Sequence, residues 1–438
     1  MKKYFVYLAS AALLLACNKE EINTPVDNTP LDTPVATELI TVDLNPETKT
    51  SLDGMNTKWV AGDKVSVTVG GQEIGTLALV EGTEATFSGE IVSGHDGEAI
   101  LKYPAGVASV PTTQVATANT FANGAALLEG TTTVDALRAG EAAQLSNTTA
   151  LLQFSVEVAG DVAFTIGSTT YTVTGCQTGN TYYACVAPET GKLSYTVGIA
   201  LGAKEKDGFA PVANKVYSLG TLELKKSIYG IAGTYSNDGW TTDTYMYETA
   251  KNNFFVCYGM TFKEASEFKV RKAGGWVDDY NFGTTTTAKK AANSVVGVYT
   301  DGGSKNINVN AGTYDIYFDR LAGQVYIMDA GKSYTEATKP TTTSYYSLAG
   351  SFKGGGWDDT VAMKYSGDGI WTNEQTFEAN DEFKIKNKGN WNSSWGYSNV
   401  YPGSGLVSNS GGNAKVKTAG TYVVGFYKAG NKITLVEK

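Results

Sequence analysis

An all-β chain of several domains is what this sequence predicts, and three observations carry the prediction. Its 438 residues include 50 Gly and 26 Tyr; with abundant Thr and Val, such a composition suits short strands and tight turns better than helices. Runs such as ELITVDL (38–44), KVSVTV (64–69), ALLQFSVEV (150–158), TYTVTG (170–175) and LSYTVGIAL (193–201) alternate apolar and polar residues. Turn clusters separate them, among them Asp53-Gly54, Gly70-Gly71 and Asp207-Gly208, as expected of half-buried strands. The second half of the chain also repeats itself, so a tandem unit is present. Short strands at this spacing predict Ig-like β-sandwiches in tandem.

The N-terminus fixes the compartment. Lys2 and Lys3 precede an apolar run from Tyr4 to Ala16, which is too short for a membrane-spanning helix and reads as a signal peptide over 1–16. Leu14-Leu15-Ala16-Cys17 resembles a bacterial lipobox. The resemblance implies cleavage before Cys17, lipidation of that residue, and an anchor in the outer membrane. Asn18-Lys19-Glu20-Glu21 resembles the acidic signal that sends some lipoproteins to the cell exterior. Residues 17–37 are polar and rich in Pro and Thr; they cannot bury a core and are expected to be a flexible tether.

Residues 38–225 are expected to form a β-sandwich region. Within them TKTSLDG (48–54), WVAGDKVSV (59–67), NTTALLQFSV (147–156) and NKVYSL (214–219) resemble fimbrillin-like surface proteins, which implies a structural or adhesive role. Cys176 and Cys185 flank a Gly-Asn turn, a spacing compatible with a cross-hairpin disulfide or with two buried free thiols.

Two β-sandwich repeats follow, 226–333 and 345–438, joined by a Thr/Pro linker at 334–344. Tyr229-Gly-Ile-Ala-Gly233 matches Tyr346-Ser-Leu-Ala-Gly350, and Gly239-Trp240 matches Gly356-Trp357. Thr261–Arg271 matches Thr376–Lys386, and without a gap from that block Trp276 and Tyr280 align with Trp391 and Trp395. Ala311-Gly-Thr-Tyr314 matches Ala419-Gly-Thr-Tyr422 before the last hairpin, so both tyrosines read as structural.

Composition narrows the function. A net charge of −9 argues against nucleic acid and against anionic membrane surfaces. The single histidine, His95, lies in a Ser-Gly-His-Asp-Gly turn and leaves little material for a catalytic triad or a histidine metal site. Asp278-Asp279 and Asp358-Asp359 are adjacent pairs at unmatched positions; they read as turn residues, not as the separated carboxylates of a glycosidase. No cofactor fingerprint is present. Enzymatic function is therefore not expected.

Six of the seven tryptophans lie in the repeats, several beside Gly, Asn, Asp or Ser. A pyranose ring has an apolar C–H face on which such rings stack, and an equatorial belt of hydroxyls that cations and amides bond. Strand alternation puts Phe268 and Val270 toward the core and Lys269 and Arg271 on the other face; Phe383, Ile385, Lys384 and Lys386 repeat the pattern. Trp371 reads as core or strand. The pattern Glu-Phe-Lys-[Val/Ile]-[Arg/Lys], then Gly-x-Trp or its equivalent, then a second aromatic resembles the binding modules of SusE/SusF-type outer-membrane starch-binding lipoproteins. That resemblance implies non-catalytic binding of α-glucan, with a surface glycan importer and a glycosidase as partners. Carried over, it points to Trp240, Arg271, Trp276, Tyr280 and Asn281 in the first repeat and to Trp357, Lys386, Trp391 and Trp395 in the second. The alternative is an adhesin or fimbrial subunit without glycan affinity.

Overall fold

The computed structural model describes residues 35–46 and 59–116; 125–331 except 237, 265, 278–279, 285–286, 301–304 and 322; and 346–438 except 359–360, 368–369, 388–389, 397–402, 407, 410–411 and 428–431. The signal peptide, Cys17, nearly all of the tether, the 334–344 linker and Asp278-Asp279 lie outside the described residues. The molecule is all-β and multi-domain; among the described residues it has one five-residue helix, Val134–Arg138, capped by Thr133.

The region expected as one sandwich contains two sheet systems. The first is a closed barrel. Thr37–Pro46 pairs antiparallel with Thr86–Val92 from Thr37 to Asp43 and parallel with Ala143–Asn147 from Leu44 to Pro46, which closes the sheet on itself. Its interior holds Val42, Leu44, Val65, Val67, Leu77 and Phe87. Trp59 packs edge-on against Phe87 and Tyr103, and its indole N–H donates to the Leu44 carbonyl at 2.7 Å. The hairpin between Lys64–Val69 and Gln72–Leu79 turns on Gly70 and Gly71, both at positive φ (57° and 85°), a two-residue turn that favours glycine.

The second system stacks a sheet built on Gly160–Ile166, Thr169–Cys176 and Gly191–Val197 over Ala150–Val156, Tyr182–Val186 and Val216–Leu222. Phe154 and Phe164 meet edge to face in its core. Cys176 and Cys185 are buried there as free thiols. Phe254, Val256, Tyr317 and Tyr326 from the first repeat join the same core, and the Tyr258 hydroxyl accepts from the Ile199 amide at 2.9 Å, so the first repeat is docked on this sandwich.

Both repeats share one pairing scheme. Lys226–Gly233 pairs with Ser266–Lys272, placing Gly230 opposite Arg271 and Ile231 opposite Val270. Tyr346–Gly350 pairs with Glu382–Asn387, placing Ser347 opposite Lys386 and Leu348 opposite Ile385. Phe254–Phe262 sets Phe255 opposite Phe318, as Ile370–Phe377 sets Trp371 opposite Phe426. Tyr314 and Tyr422 are buried, each bonding a carbonyl just upstream, Ala311 at 3.1 Å and Thr418 at 2.9 Å. The Gln324 side chain donates to the Ser366 carbonyl, which brings the two repeats into contact.

Candidate functional site

In each repeat the last cation of the Phe-Lys-x-cation strand stands between two tryptophan loops. Phe268 and Val270 are fully buried in the core, as are Phe383 and Ile385. The alternate face carries Arg271 and Lys386 beneath the loops that follow the paired strands.

In the first repeat, Trp276 is 48% exposed and its ring centroid lies 5.8 Å from that of half-buried Trp240, with 50° between the planes. The Arg271 guanidinium sits 4.1 Å from the Trp276 ring centroid. Its Nε donates to Asp243 Oδ1 at 2.7 Å and its Nη2 to Asp243 Oδ2 at 3.0 Å, with a longer bond from Nη2 to the Thr241 carbonyl at 3.3 Å. Asp243 Oδ2 also accepts from the Gly274 amide at 2.7 Å. One carboxylate thus ties the cation to both loops. Gly230 makes room for it: a Cβ there would stand 2.9 Å from the Asp243 Cβ.

The second repeat builds the same pair differently. Trp391 is 40% exposed, and its centroid lies 6.2 Å from that of Trp357, with 37° between the planes. Lys386 Nζ lies 4.4 Å from the Trp391 ring centroid and donates to the carbonyls of Trp357 at 3.1 Å and Asp358 at 3.2 Å. An ammonium is a point donor and suits two carbonyl oxygens, where the fork of Arg271 suits a bidentate carboxylate.

The other sequence candidates sit as follows. Arg271 and Lys386 are each only 2% exposed and clasp the tryptophan loops from beneath. Trp395 is buried, packing edge-on against Tyr346 at 5.5 Å and tilted against Phe426 at 5.1 Å. Its register partner is Ile385, as Phe282 partners Val270, so Trp395 is the counterpart of the core residue Phe282 and not of Tyr280. Tyr280 itself packs beside Tyr229 at 6.1 Å, with Lys272 and Arg320 over its ring, and is not in contact with the Trp240–Trp276 pair. Asn281 has a buried side-chain oxygen without a hydrogen-bond partner. Trp371 packs on Tyr346 at 4.5 Å, inside the module as expected.

Asp243 escaped the sequence reading because Thr-Thr-Asp-Thr looks like an ordinary turn. Its only signal was that Arg, not Lys, follows in the paired strand.

No family model matches the chain, and no curated protein matches it. Among solved structures it is similar to SusF from Bacteroides thetaiotaomicron, at 16% identity and TM-score 0.18 over 66% of this chain and 76% of that one. It is also similar to a fimbrial protein from Bacteroides ovatus (11% identity, TM-score 0.27, 50% of this chain and 57% of that one). A putative cell adhesion protein from Bacteroides fragilis matches at 12% identity and TM-score 0.26, over 48% of this chain and 99% of that one. These superpositions are too partial to carry a function from one protein to the other.

Proposed function

We propose that the chain is a non-catalytic surface lipoprotein, anchored through Cys17 to the outer membrane and facing outward, that holds polysaccharide on its two C-terminal repeats. One observation supports this above all. An exposed tryptophan, a second tryptophan tilted against it and a buried cation under the first occur twice, Trp276–Trp240–Arg271 and Trp391–Trp357–Lys386. Core packing alone does not call for half-exposed indoles braced by sealed cations. Bracing fixes the ring before a sugar arrives, so less conformational freedom is lost on binding.

The preferred ligand is an α-glucan. Successive sugars in such a chain are turned relative to one another, and two rings inclined at 50° or 37° offer each sugar its own stacking face. A single site of this kind binds weakly, in the range of about −4 kcal/mol for millimolar affinity. Two sites on one polymer gain by effective concentration, on the order of a hundredfold. The bound polymer would then pass to a surface importer or glycosidase.

Retention on insoluble starch tests the reading. Trp276→Ala combined with Trp391→Ala is expected to abolish retention while the chain stays folded, since both side chains are about half exposed and neither belongs to a module core. Undiminished retention by the double variant excludes these platforms, and absence of retention by the unaltered chain favours the adhesin.

A further inference from the structure

The first repeat carries a polar cavity on the core side of the same strand that bears Gly230. About 260 Å³ in volume, it is lined by Tyr229, Phe255, Arg320, Asn253, Thr249 and Lys251, among others. Tyr229 is 1% exposed, and its hydroxyl has no hydrogen-bond partner. Arg320 Nε is buried and has none either; Nη1 donates to Asn253 Oδ1 at 3.2 Å. Burial without a partner is costly for such groups, so two of them beside one cavity call for an acceptor.

The charges in the wall sharpen this. Lys251 pairs with Asp319 at 3.2 Å, and Glu248 with Lys225 at 2.7 Å. Arg320 has no carboxylate partner among the described residues, and the cavity therefore keeps one unbalanced positive charge. At its rim Ile228 is 54% exposed, and Phe255 adds an apolar wall. By register Phe255 is the counterpart of Trp371; it packs on Tyr229 at 4.8 Å as Trp371 packs on Tyr346 at 4.5 Å, but with the smaller ring. The space thus exists where the first repeat has the smaller aromatic.

We infer that this cavity takes the carboxylate of a sugar acid, a hexuronate unit of an acidic glycan. A turn of Arg320 and Tyr229, whose Nε and hydroxyl lie sealed behind the cavity wall in the ligand-free chain, brings both donors to its two oxygens, and the sugar's C–H face lies against Ile228 and Phe255. A carboxylate bonded by guanidinium and phenol satisfies both orphan donors at once. Only the assignment of the carboxylate to a sugar rests on the glycan reading; the anion site stands on the cavity.

The test uses the full chain with Trp276→Ala and Trp391→Ala in place, so that the tryptophan platforms contribute nothing, titrated with D-glucuronate, D-glucose and acetate by calorimetry or ligand-observed NMR. Glucuronate is expected to bind at least tenfold more tightly than glucose or acetate. Arg320→Gln should weaken it at least tenfold, and Phe255→Trp should fill the cavity and abolish it. Tyr229→Phe, which removes only the hydroxyl, should weaken it several-fold while the unfolding midpoint of the ligand-free chain is unchanged or raised. Equal affinity for acetate and glucuronate overturns the sugar assignment. Glucuronate binding that is absent, or indifferent to all three substitutions, overturns the site. Starch retention by the otherwise unaltered chain is expected to survive Phe255→Trp, so failure of the starch reading and failure of this one are separable.

Discussion

The first repeat locks its tryptophan pair with an ion pair, the second with a lysine held by two backbone carbonyls. Both solutions put a cation under an exposed indole and reach across to the second loop. They differ in what remains when the cation is removed. In the first repeat the Asp243 side chain, 5% exposed, would keep a buried negative charge. In the second, two carbonyl oxygens would lose one donor. The same shape is therefore held by parts of unequal energetic consequence, and the pair can be taken apart to show it.

The largest expected difference comes from Arg271→Met set against Lys386→Met. Breaking one side of a buried ion pair costs about 3–5 kcal/mol, whereas unsatisfied carbonyls cost roughly 1–3 kcal/mol. Hydrogen exchange on the strands Ser266–Lys272 and Glu382–Asn387 in the full chain reports each loss locally. Adding Asp243→Asn to Arg271→Met should recover much of the loss, because no buried charge is then left alone. Equal losses in the two repeats, or no recovery, would break the comparison.

Next in size is Trp395→Ala against Trp391→Ala. Trp395 is sealed among Tyr346, Phe426 and the rest of that core, and truncating a buried Trp costs about 3–5 kcal/mol. Trp391 projects outward, and its removal should change stability by no more than about 1 kcal/mol while starch retention by the second repeat is lost. A stable Trp395→Ala variant with impaired retention would restore to Trp395 the binding role that the repeat alignment suggested.

That alignment shows how far the sequence could be read. It found the strands, the repeat and the matches of Trp240 with Trp357 and of Trp276 with Trp391, because period-two alternation and matched blocks are local signals; it did not show that Trp240 meets Trp276 or that Trp357 meets Trp391. It went astray beyond Trp391 because the first repeat's loop is two residues longer between the paired positions Val270 and Phe282 than between Ile385 and Trp395. A gap-free match therefore set Tyr280 against a core residue. Arg271 and Lys386 were correctly placed off the core face, but alternation says which way a side chain points and not whether a loop covers it. The barrel was illegible for a similar reason: closure depends on Thr37–Pro46 meeting two distant partners, and no local pattern announces a parallel pairing between the ends of a sheet.

The most local readout belongs to Cys257, which can report on one repeat alone. It sits in the first repeat's core opposite Ile316, and the second repeat contains no cysteine. Burial pushes the thiols of Cys176, Cys185 and Cys257 up to about 12, so almost no thiolate is present at neutral pH and none is reachable until the structure opens. Alkylation of the native chain, resolved by mass spectrometry, should leave all three unmodified, and unfolding should expose all three without prior reduction. A disulfide between Cys176 and Cys185 would withhold two of them and contradict their state in this fold. Once that baseline holds, the alkylation rate of Cys257 measures opening of the first repeat. It should rise in Arg271→Met, by about tenfold for each 1.4 kcal/mol lost, and stay unchanged in Lys386→Met. A rise in both would mean that the contact at Gln324 and Ser366 couples the repeats into a single cooperative unit, in which case each tryptophan clasp stabilises the other's module as well as its own.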